Sequence, residues 1–169
     1  MKYAIIENGV VTNVALADEA LGTNWVASDV AQKGWAYDGT TFAAPTVPEP
    51  TSIEVNAERN RRMFSTFTFG GVDYDCEPLS LARITGAATL AGFAMGAGAV
   101  AGNLRWHGGA DDFTWIAADN SLTTMDAQTC FAFGQTAANN QSAHVFAGAA
   151  IKAMDPTPQD FASNEIYWP

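Results

Sequence analysis

The six residues Pro45-Thr46-Val47-Pro48-Glu49-Pro50 separate two parts of the sequence that differ in character. Proline restricts φ to about −65° and has no backbone N–H, so three prolines in this short stretch favour an extended, semi-rigid chain. We therefore expect a linker over residues 45–50. A small β module is expected before it at residues 1–44, and an α+β domain after it at residues 51–169.

The β module begins with a hairpin pattern. The apolar run Tyr3-Ala4-Ile5-Ile6 is followed by Asn8-Gly9, a dipeptide that readily adopts the positive φ angles of a type I′ turn. The returning strand is expected from Val10 to Leu16. A second hairpin is expected around Asp38-Gly39, and residues 18–31 are expected to be irregular or to form a short helical turn.

The domain after the linker has the signals of three helices interleaved with two β-hairpins. Thr51 or Ser52 can cap the first helix, with Glu54 close to the position that completes a capping box. One hairpin is expected around Gly70-Gly71 and the other around Asp119-Asn120. This order of elements predicts an α+β fold.

Two longer helices are expected in this domain. The first covers residues 79–95 with Ser80 as its cap, and the second covers residues 127–154 with Asp126 as its cap. On the first, the shared face is predicted to hold Leu81, Ile84, Ala88 and Ala91. The apolar residues of the second include Phe131, Ala138, Val145, Phe146, Ala149 and Ile151.

No charged residue lies between Arg83 and Arg105, a length close to that of a membrane span. The segment is rich in Ala, Gly and Thr and has few large apolar side chains, which argues against a span. We therefore expect a buried helix that ends in a glycine-rich turn somewhere in residues 92–102.

The net charge of −10 disfavours binding to nucleic acid or to an anionic membrane, because such a surface repels phosphate. Cys76 and Cys130 are too far apart in sequence to suggest a disulfide framework or a metal pattern, so buried free thiols are expected. Met1-Lys2 leads directly into a strand pattern without an apolar leader. Synthesis in the cytoplasm is therefore expected.

No constellation of catalytic residues stands out. Neither a G-x-S-x-G elbow nor a phosphate-binding glycine loop is present. His107 with Asp111 and Asp112 is a conceivable metal group, but a polar loop explains it as well, and His144 is expected to pack or hydrogen-bond within a helix. Asp73, Asp75 and Glu77 alternate on a predicted strand and would share one solvated face. We therefore expect no catalytic residue, no metal, no cofactor and no enzyme activity.

Contacts with other proteins are the remaining possibility. The basic cluster of Arg59, Arg61 and Arg62 can form i,i+4 pairs with Glu54 or Glu58, or can dock an acidic partner. Five tryptophans exceed what a core of this size needs, and aromatic rings are enriched at interfaces. The terminal residues 166–169 can dock on a neighbour or pack on their own domain. The candidate partner-binding residues are Trp25, Trp35, Tyr37, Arg59, Arg62, Trp106 and Trp168.

Two stretches of the β module carry a resemblance. Residues 2–11 (KYAIIENGVV) and 34–39 (GWAYDG), followed by the proline-rich linker, look like the N-terminal module of many phage tail-fibre-associated proteins. The segment from Glu58-Arg59 and Arg61-Arg62 onward resembles an uncharacterised domain common in phage tail loci. Its matching residues are Phe67, Phe69-Gly70-Gly71, Asp75, Ile84, Trp106, Trp115, Asp119-Asn120, Met125, Phe131 and His144.

The resemblance implies a virion component at the tail tip, the baseplate or the point of tail-fibre attachment. Its partners would be other phage tail proteins, in multiple copies within a symmetric assembly. It would reside in the virion and, during assembly, in the host cytoplasm. Two alternatives remain: a tail-fibre assembly chaperone that leaves the particle, and an enzyme that degrades cell wall or glycan, which would need two positioned carboxylates.

Overall fold

A computed structural model describes all 169 residues of the chain. The residues form two compact units, Met1–Pro48 and Glu49–Pro169. The boundary between the two units lies inside the proline-rich stretch.

The first unit is a five-stranded antiparallel sheet in the order β3-β1-β2-β4-β5. Its strands are β1 (Lys2–Glu7), β2 (Val10–Leu16), β3 (Trp25–Ala27), β4 (Ala36–Tyr37) and β5 (Phe42–Ala43). Asn8 and Gly9 have φ angles of 52° and 76°, so the predicted turn is confirmed. A small core of Ala4, Val11 and Ala31 lies under this sheet.

Strand β3 lies in a segment that was expected to be irregular, so that expectation is wrong. The backbone N–H of Ile6 donates to the carbonyl oxygen of Asn24 at 2.9 Å, and the Asn24 side-chain amide donates back to the Ile6 carbonyl at 3.2 Å. These bonds begin the pairing of β3 with the free edge of β1. Because the strand has three residues and forms by pairing with distant chain, local sequence carries little signal for it.

The second unit has the predicted three helices and two hairpins, and the α+β fold is confirmed. The first helix and hairpin are α1 (Ser52–Met63), β6 (Thr66–Phe69) and β7 (Val72–Asp75). The rest are α2 (Pro78–Gly96), β8 (Thr114–Ile116), β9 (Leu122–Thr124), α3 (Ala127–Lys152) and a short 3₁₀ turn, Glu165–Tyr167.

Polar side chains begin all three helices. Thr51 and Glu54 form the capping box expected for α1, with the Thr51 N–H donating to Glu54 Oε2 at 2.7 Å. Asp126 caps α3 as expected and accepts from the Thr129 N–H at 2.8 Å. The cap of α2 is Glu77 rather than the expected Ser80, because the helix already begins at Pro78 and Ser80 lies inside its first turn.

Phe133 on α3 is the centre of the main core. Its ring lies 4.7 Å from that of Tyr74, 5.3 Å from that of Phe67 and 5.4 Å from that of Trp115. Helices α2 and α3 approach closely where Gly134 faces Ala88: a Cβ added at Gly134 would lie 2.3 Å from the Ala88 Cβ. Glycine is therefore required at this position of α3.

The buried face of α3 contains only some of its apolar residues. Buried positions are Ala127, Cys130, Phe133, Ala137, His144, Gly148 and Ile151, whereas Ala138, Val145, Phe146 and Ala149 are exposed. Of the apolar residues noted in the sequence, Ile151 is buried and Phe131 packs partly buried against the core. Since α3 carries no charged residue before Lys152, all of its sides are compatible with burial, and the periodicity did not select one.

Helix α2 is not the buried helix that was expected. Only Leu81, Ile84 and Ala91 of its side chains are buried, and most of its surface faces solvent. It ends at Gly96, with Ala97 as C-cap and Gly98 at a φ of 95°. By length and composition alone it is the one helix of the structure that is apolar enough to cross a membrane.

Candidate interaction surface

Trp168 is a core residue of the second unit. Its side chain is only 7% exposed and packs with Val55, Ile151 and Phe161. The indole N–H donates to the Phe161 carbonyl oxygen at 2.7 Å. The C-terminal residues thus pack on their own unit, and the expectation that Trp168 binds a partner is corrected, because its ring is already enclosed.

Arg62 holds this C-terminal segment against α1. Its Nε donates to Glu58 Oε1 at 2.6 Å, which confirms the expected i,i+4 pair, and its Nη1 donates to Glu165 Oε2 at 2.6 Å. The guanidinium also lies over the Trp168 ring at 5.2 Å from its centroid. Hydrogen bonds from Arg61 and Arg62 lower the pKa of Glu58, and those from Arg62 lower the pKa of Glu165. Arg62 is therefore committed to internal contacts.

Arg59 is similarly occupied within the unit. Its aliphatic stem covers Gly148 of α3, where an added Cβ would lie 3.2 Å from Arg59 Cδ. Its guanidinium donates to the side-chain oxygens of Asn56 and Asn60 at 2.8 to 3.2 Å. Arg59 and Arg62 therefore join α1 to α3 and to the C-terminus, whereas Arg61 is exposed and pairs only with Glu58 of its own helix.

The other candidate aromatics are half-buried. Trp106 donates its indole N–H to the Met125 carbonyl at 3.0 Å and packs against Phe113 at 4.8 Å between ring centroids. In the first unit, Tyr37 stacks on Phe42 at 4.5 Å. Trp25 lies 5.9 Å from Tyr3, and Trp35 packs on the small core. Each of these side chains keeps an accessible edge, so Trp25, Trp35, Tyr37 and Trp106 remain candidates for partner contact.

The thiols and histidines are not arranged as nucleophile and base. Burial raises the pKa of Cys130 to about 11 and also raises the pKa of Cys76. His144 Nδ1 lies 2.8 Å from the Asn140 carbonyl oxygen, which can only accept, so this nitrogen donates and the ring stacks on Trp168. The packing role expected for His144 is confirmed. No group of three or more His, Cys, Asp and Glu side chains is placed to hold a metal ion.

The three alternating carboxylates do not act together. Asp73 accepts from the Thr68 hydroxyl across the β6–β7 hairpin at 2.5 Å, and Glu77 caps α2. Asp75 lines a cleft of about 370 Å³ with Arg83 and Asn120, beside the β8 strand. Ser80 and Trp115 also line the cleft, and neither histidine nor cysteine does.

Helix α2 carries a row of exposed apolar residues. Five solvent-facing residues lie along one side of the helix, and we call them the outer face of α2: Leu79, Ala82, Gly86, Leu90 and Phe93. The three large side chains among them are 59%, 62% and 72% exposed, in sequence order. This face is distinct from the side that packs on α3. An apolar groove of about 230 Å³, lined by Thr85, Ala88 and Phe131 among others, runs between the two helices.

Sequence reasoning missed this face. A signal for it was present, since the absence of charge from residue 84 to residue 104 left no polar side to α2. This uncharged stretch predicts, wrongly, a helix that is buried within the chain.

Comparison with known proteins gives one match. The family model described as Domain of unknown function (DUF4376) matches residues 47–164, which include all three helices and more than two thirds of the chain. No curated protein and no solved structure matches the chain. The matched segment begins inside the proline-rich stretch and covers nearly all of the second unit. The chain therefore belongs to the DUF4376 family.

Proposed function

We propose that this protein is a non-enzymatic structural component of a phage tail, located at the tail tip, the baseplate or the tail-fibre attachment, and that it acts through protein–protein contacts. The observation that carries the proposal is the outer face of α2. Leu79, Leu90 and Phe93 place a contiguous apolar strip in solvent on a helix without a charged residue beyond Arg83.

Burial of this apolar strip by a partner would be energetically favourable. Complete burial of a fully exposed Leu or Phe side chain stabilises a protein or complex by about 1.5–3 kcal/mol. Leu79, Leu90 and Phe93 are 59%, 62% and 72% exposed, so more than half of this contribution is still available at each. Contiguous exposed apolar patches on small proteins commonly mark contacts with other proteins. A partner that covers the outer face would realise this contribution.

Assignment to a phage tail is supported by the sequence of the first unit. Residues 2–11 and 34–39 resemble the N-terminal module of tail-fibre-associated proteins. They form β1, the first turn, the start of β2 and the turn with β4. Trp25, Trp35 and Tyr37 have accessible edges on this small sheet, which suits a second contact with a neighbour. The proline-rich stretch lets each unit hold a different partner.

The side chains that catalysis would need are buried or engaged in internal contacts, which supports the absence of enzyme activity. Both thiols are buried with raised pKa values, which suppresses the thiolate form at neutral pH. His144 is stacked in the core, Glu58 is paired with Arg61 and Arg62, and Glu165 is paired with Arg62.

Quantitative mass spectrometry of purified virions from a phage that encodes the chain tests the proposal. The expected result is a constant copy number per particle after density-gradient purification, with tail proteins as the cross-linked neighbours. Absence from particles would contradict a structural role. If the tail fibre were also insoluble without the chain, an assembly chaperone would replace the proposal. Clearing of host cell walls by the purified chain would contradict the non-enzymatic assignment.

A further inference from the structure

We propose that the cleft between β7 and β8 binds an extended peptide segment, which pairs with the open edge of β8 as an added strand. The cleft has a volume of about 370 Å³ and is lined by residues 114–117, by Asp75 of β7 and by Arg83 of α2. The inference goes beyond the proposed function. It uses none of the residues of the outer face of α2, and it does not depend on the assignment to a phage tail.

Strand β8 has backbone groups without a partner in the chain. It pairs only with β9, so its other edge is open. The N–H of Ala117 donates to the Ser121 carbonyl oxygen at 2.9 Å. Because antiparallel partners bond at every second residue, the N–H and C=O groups of Thr114 and Ile116 point away from β9. No other group of the chain bonds to them.

Strand β7 offers similar groups to the same cleft. The N–H of Cys76 donates to the carbonyl of the residue before β6 at 3.1 Å, so the backbone groups of Asp75 point away from β6. One bond joins the two strands, from the Ala118 N–H to the Asp73 carbonyl oxygen at 2.9 Å. Continuation of this register would pair Asp75 with Ile116. The two strands do not pair there, and both residues line the cleft instead.

The spacing of these groups fits an extended peptide. Along β8 the outward groups recur at every second residue, about 6.8 Å apart, and an extended peptide presents its own donors and acceptors at the same interval. Addition of a peptide strand to an open sheet edge is a recurring mode of recognition. Residues 114–117 contain neither proline nor a charged residue, which are the features that commonly protect an edge from such pairing.

The charged side chains of the cleft indicate which segment would fit. Arg83 and Asp75 form no ion pair and no side-chain hydrogen bond within the chain. The guanidinium can donate two parallel bonds to a carboxylate, and the Asp75 carboxylate can accept from a hydroxyl. We therefore expect a segment that carries an acidic side chain for Arg83 and a serine or threonine for Asp75.

Hydrogen exchange of the isotope-labelled full chain, followed by NMR, tests the inference. The probe is an acetylated and amidated heptapeptide of alternating Thr and Val whose central Val is replaced by Glu, since β-branched residues favour an extended backbone. In the free chain, exchange should be slow at Trp115, which bonds β9, and fast at Thr114 and Ile116. Saturating peptide should slow exchange at the latter two by about tenfold or more. The short edge predicts a dissociation constant on the order of 0.1–1 mM.

A pair of proline variants locates the pairing edge. Ile116→Pro removes an N–H that the fold does not use, and proline is tolerated where a strand edge faces outward. The fold should persist, as checked by circular dichroism, while peptide binding weakens about tenfold or more. The matched control is Leu122→Pro, because Leu122 lies opposite Ile116 and its N–H points to the outer edge of β9. It should leave binding unchanged.

The charge contact is tested without any change to the backbone. Arg83→Gln should weaken binding of the Glu peptide about threefold. It should leave binding of the same peptide with Gln in place of Glu unchanged, so the double-mutant cycle isolates the contact. Equal weakening of both peptides would show that Arg83 does not pair with the acidic side chain, and this part of the inference would be wrong.

Other results would overturn the inference as a whole. One is unchanged exchange at Thr114 and Ile116 with the peptide at about 5 mM, well above the expected dissociation constant. Another is slow exchange at Ile116 in the free chain, which would show that β7 and β8 close on each other. Equal losses in the two proline variants would also count against it. N-acetylglucosamine tests the saccharide alternative raised by the Trp115 ring, and Arg83-dependent binding of the sugar without binding of the peptide would replace the inference. All of these measurements use the isolated chain, so they are independent of its presence in virions.

Discussion

The guanidinium of Arg62 lies over the indole ring of Trp168, with 5.2 Å between the guanidinium carbon and the ring centroid. This contact joins the end of α1 to the C-terminal residues, more than one hundred positions later in the chain. The same Arg62 side chain bonds Glu58 and Glu165, so one residue links the first helix and the C-terminal segment of the second unit.

Removal of the Trp168 ring should destabilise the second unit. Trp168→Ala is expected to lower the free energy of unfolding by about 3–5 kcal/mol, because it leaves a cavity beside Val55, Ile151 and Phe161. Urea denaturation followed by helical circular dichroism reports on this unit alone, since all three helices lie in it. The control is Ile166→Ala: Ile166 is exposed two positions away and should change stability by less than about 0.5 kcal/mol. Similar losses in both variants would contradict the packing described.

Replacing Arg62 should reduce stability more than replacing its neighbour Arg61. Arg62→Ala removes a largely buried group and leaves Glu58 with one partner fewer, so a loss of about 1–3 kcal/mol is expected. Arg61 is exposed, and Arg61→Ala should change stability by about 0.5 kcal/mol or less. The same urea titration measures both. Equal effects would show that the pairing with Glu165 and Trp168 does not contribute.

Acid should weaken this cluster. The pKa values of Glu58 and Glu165 are lowered by their bonds to Arg61 and Arg62, so the native state favours their charged forms. Their contribution is present above the unfolded pKa of about 4.3 and is lost as pH falls through the lower native values. Stability measured from pH 6 down to about pH 3 should therefore fall less steeply in the double variant Glu58→Gln with Glu165→Gln than in the unmodified chain. An unchanged slope would place the acid sensitivity elsewhere.

Substitution by alanine should lower the stability of the chain at Gly134 but not at Gly86. Gly134→Ala drives a methyl group into Ala88 across the α2–α3 contact and should destabilise by about 1–3 kcal/mol. Ala88→Gly in the same chain should recover part of this loss, which a double-mutant cycle quantifies. Gly86→Ala, with open space at the new methyl, should be neutral or stabilising. Without recovery in the double variant, the close approach of the two helices would be in doubt.

The thiols should be inert in the native state. Cys130 has a pKa of about 11 and Cys76 is buried with a raised pKa, so neither presents a reactive thiolate at pH 8. Titration with a chromogenic disulfide reagent should detect almost no thiol until denaturant is added, and then two per chain. Rapid reaction of one thiol in the folded chain would contradict its burial and reopen the question of a reactive cysteine.

Local signals made much of the fold predictable. The capping box of Thr51 and Glu54, the Asn8-Gly9 turn and the Asp126 cap each depend on residues within a few positions of one another, and all three are confirmed. The strand edge at β3 was not predictable in this way, since its partner β1 lies about twenty residues earlier.

The sequence predicted which types of residue would make partner contacts, but it did not predict which of their positions are exposed. Five tryptophans suggested interfaces, but Trp168 packs inside its own unit. The exposed aromatic ring on α2 is that of Phe93. Composition reveals that aromatic area exceeds the needs of a small core. It does not reveal which rings the core encloses, because that depends on which distant elements meet.

The amino-acid sequence by itself determined where the helices, turns and linker lie, since capping, turn geometry and proline stiffness act between neighbouring residues. The periodicity of α2 also predicted its buried side, with Leu81, Ile84 and Ala91. Only the tertiary structure decided which side of α3 is buried and that the rest of α2 faces solvent. Both helices are nearly free of charge and rich in Ala and Gly, so no side is excluded from the core by a charged group. Close packing selects the buried sides instead. Gly134 leaves room for Ala88, and Gly148 leaves room for the Arg59 side chain. With these sides packed, Phe93 and Phe146 remain exposed to solvent.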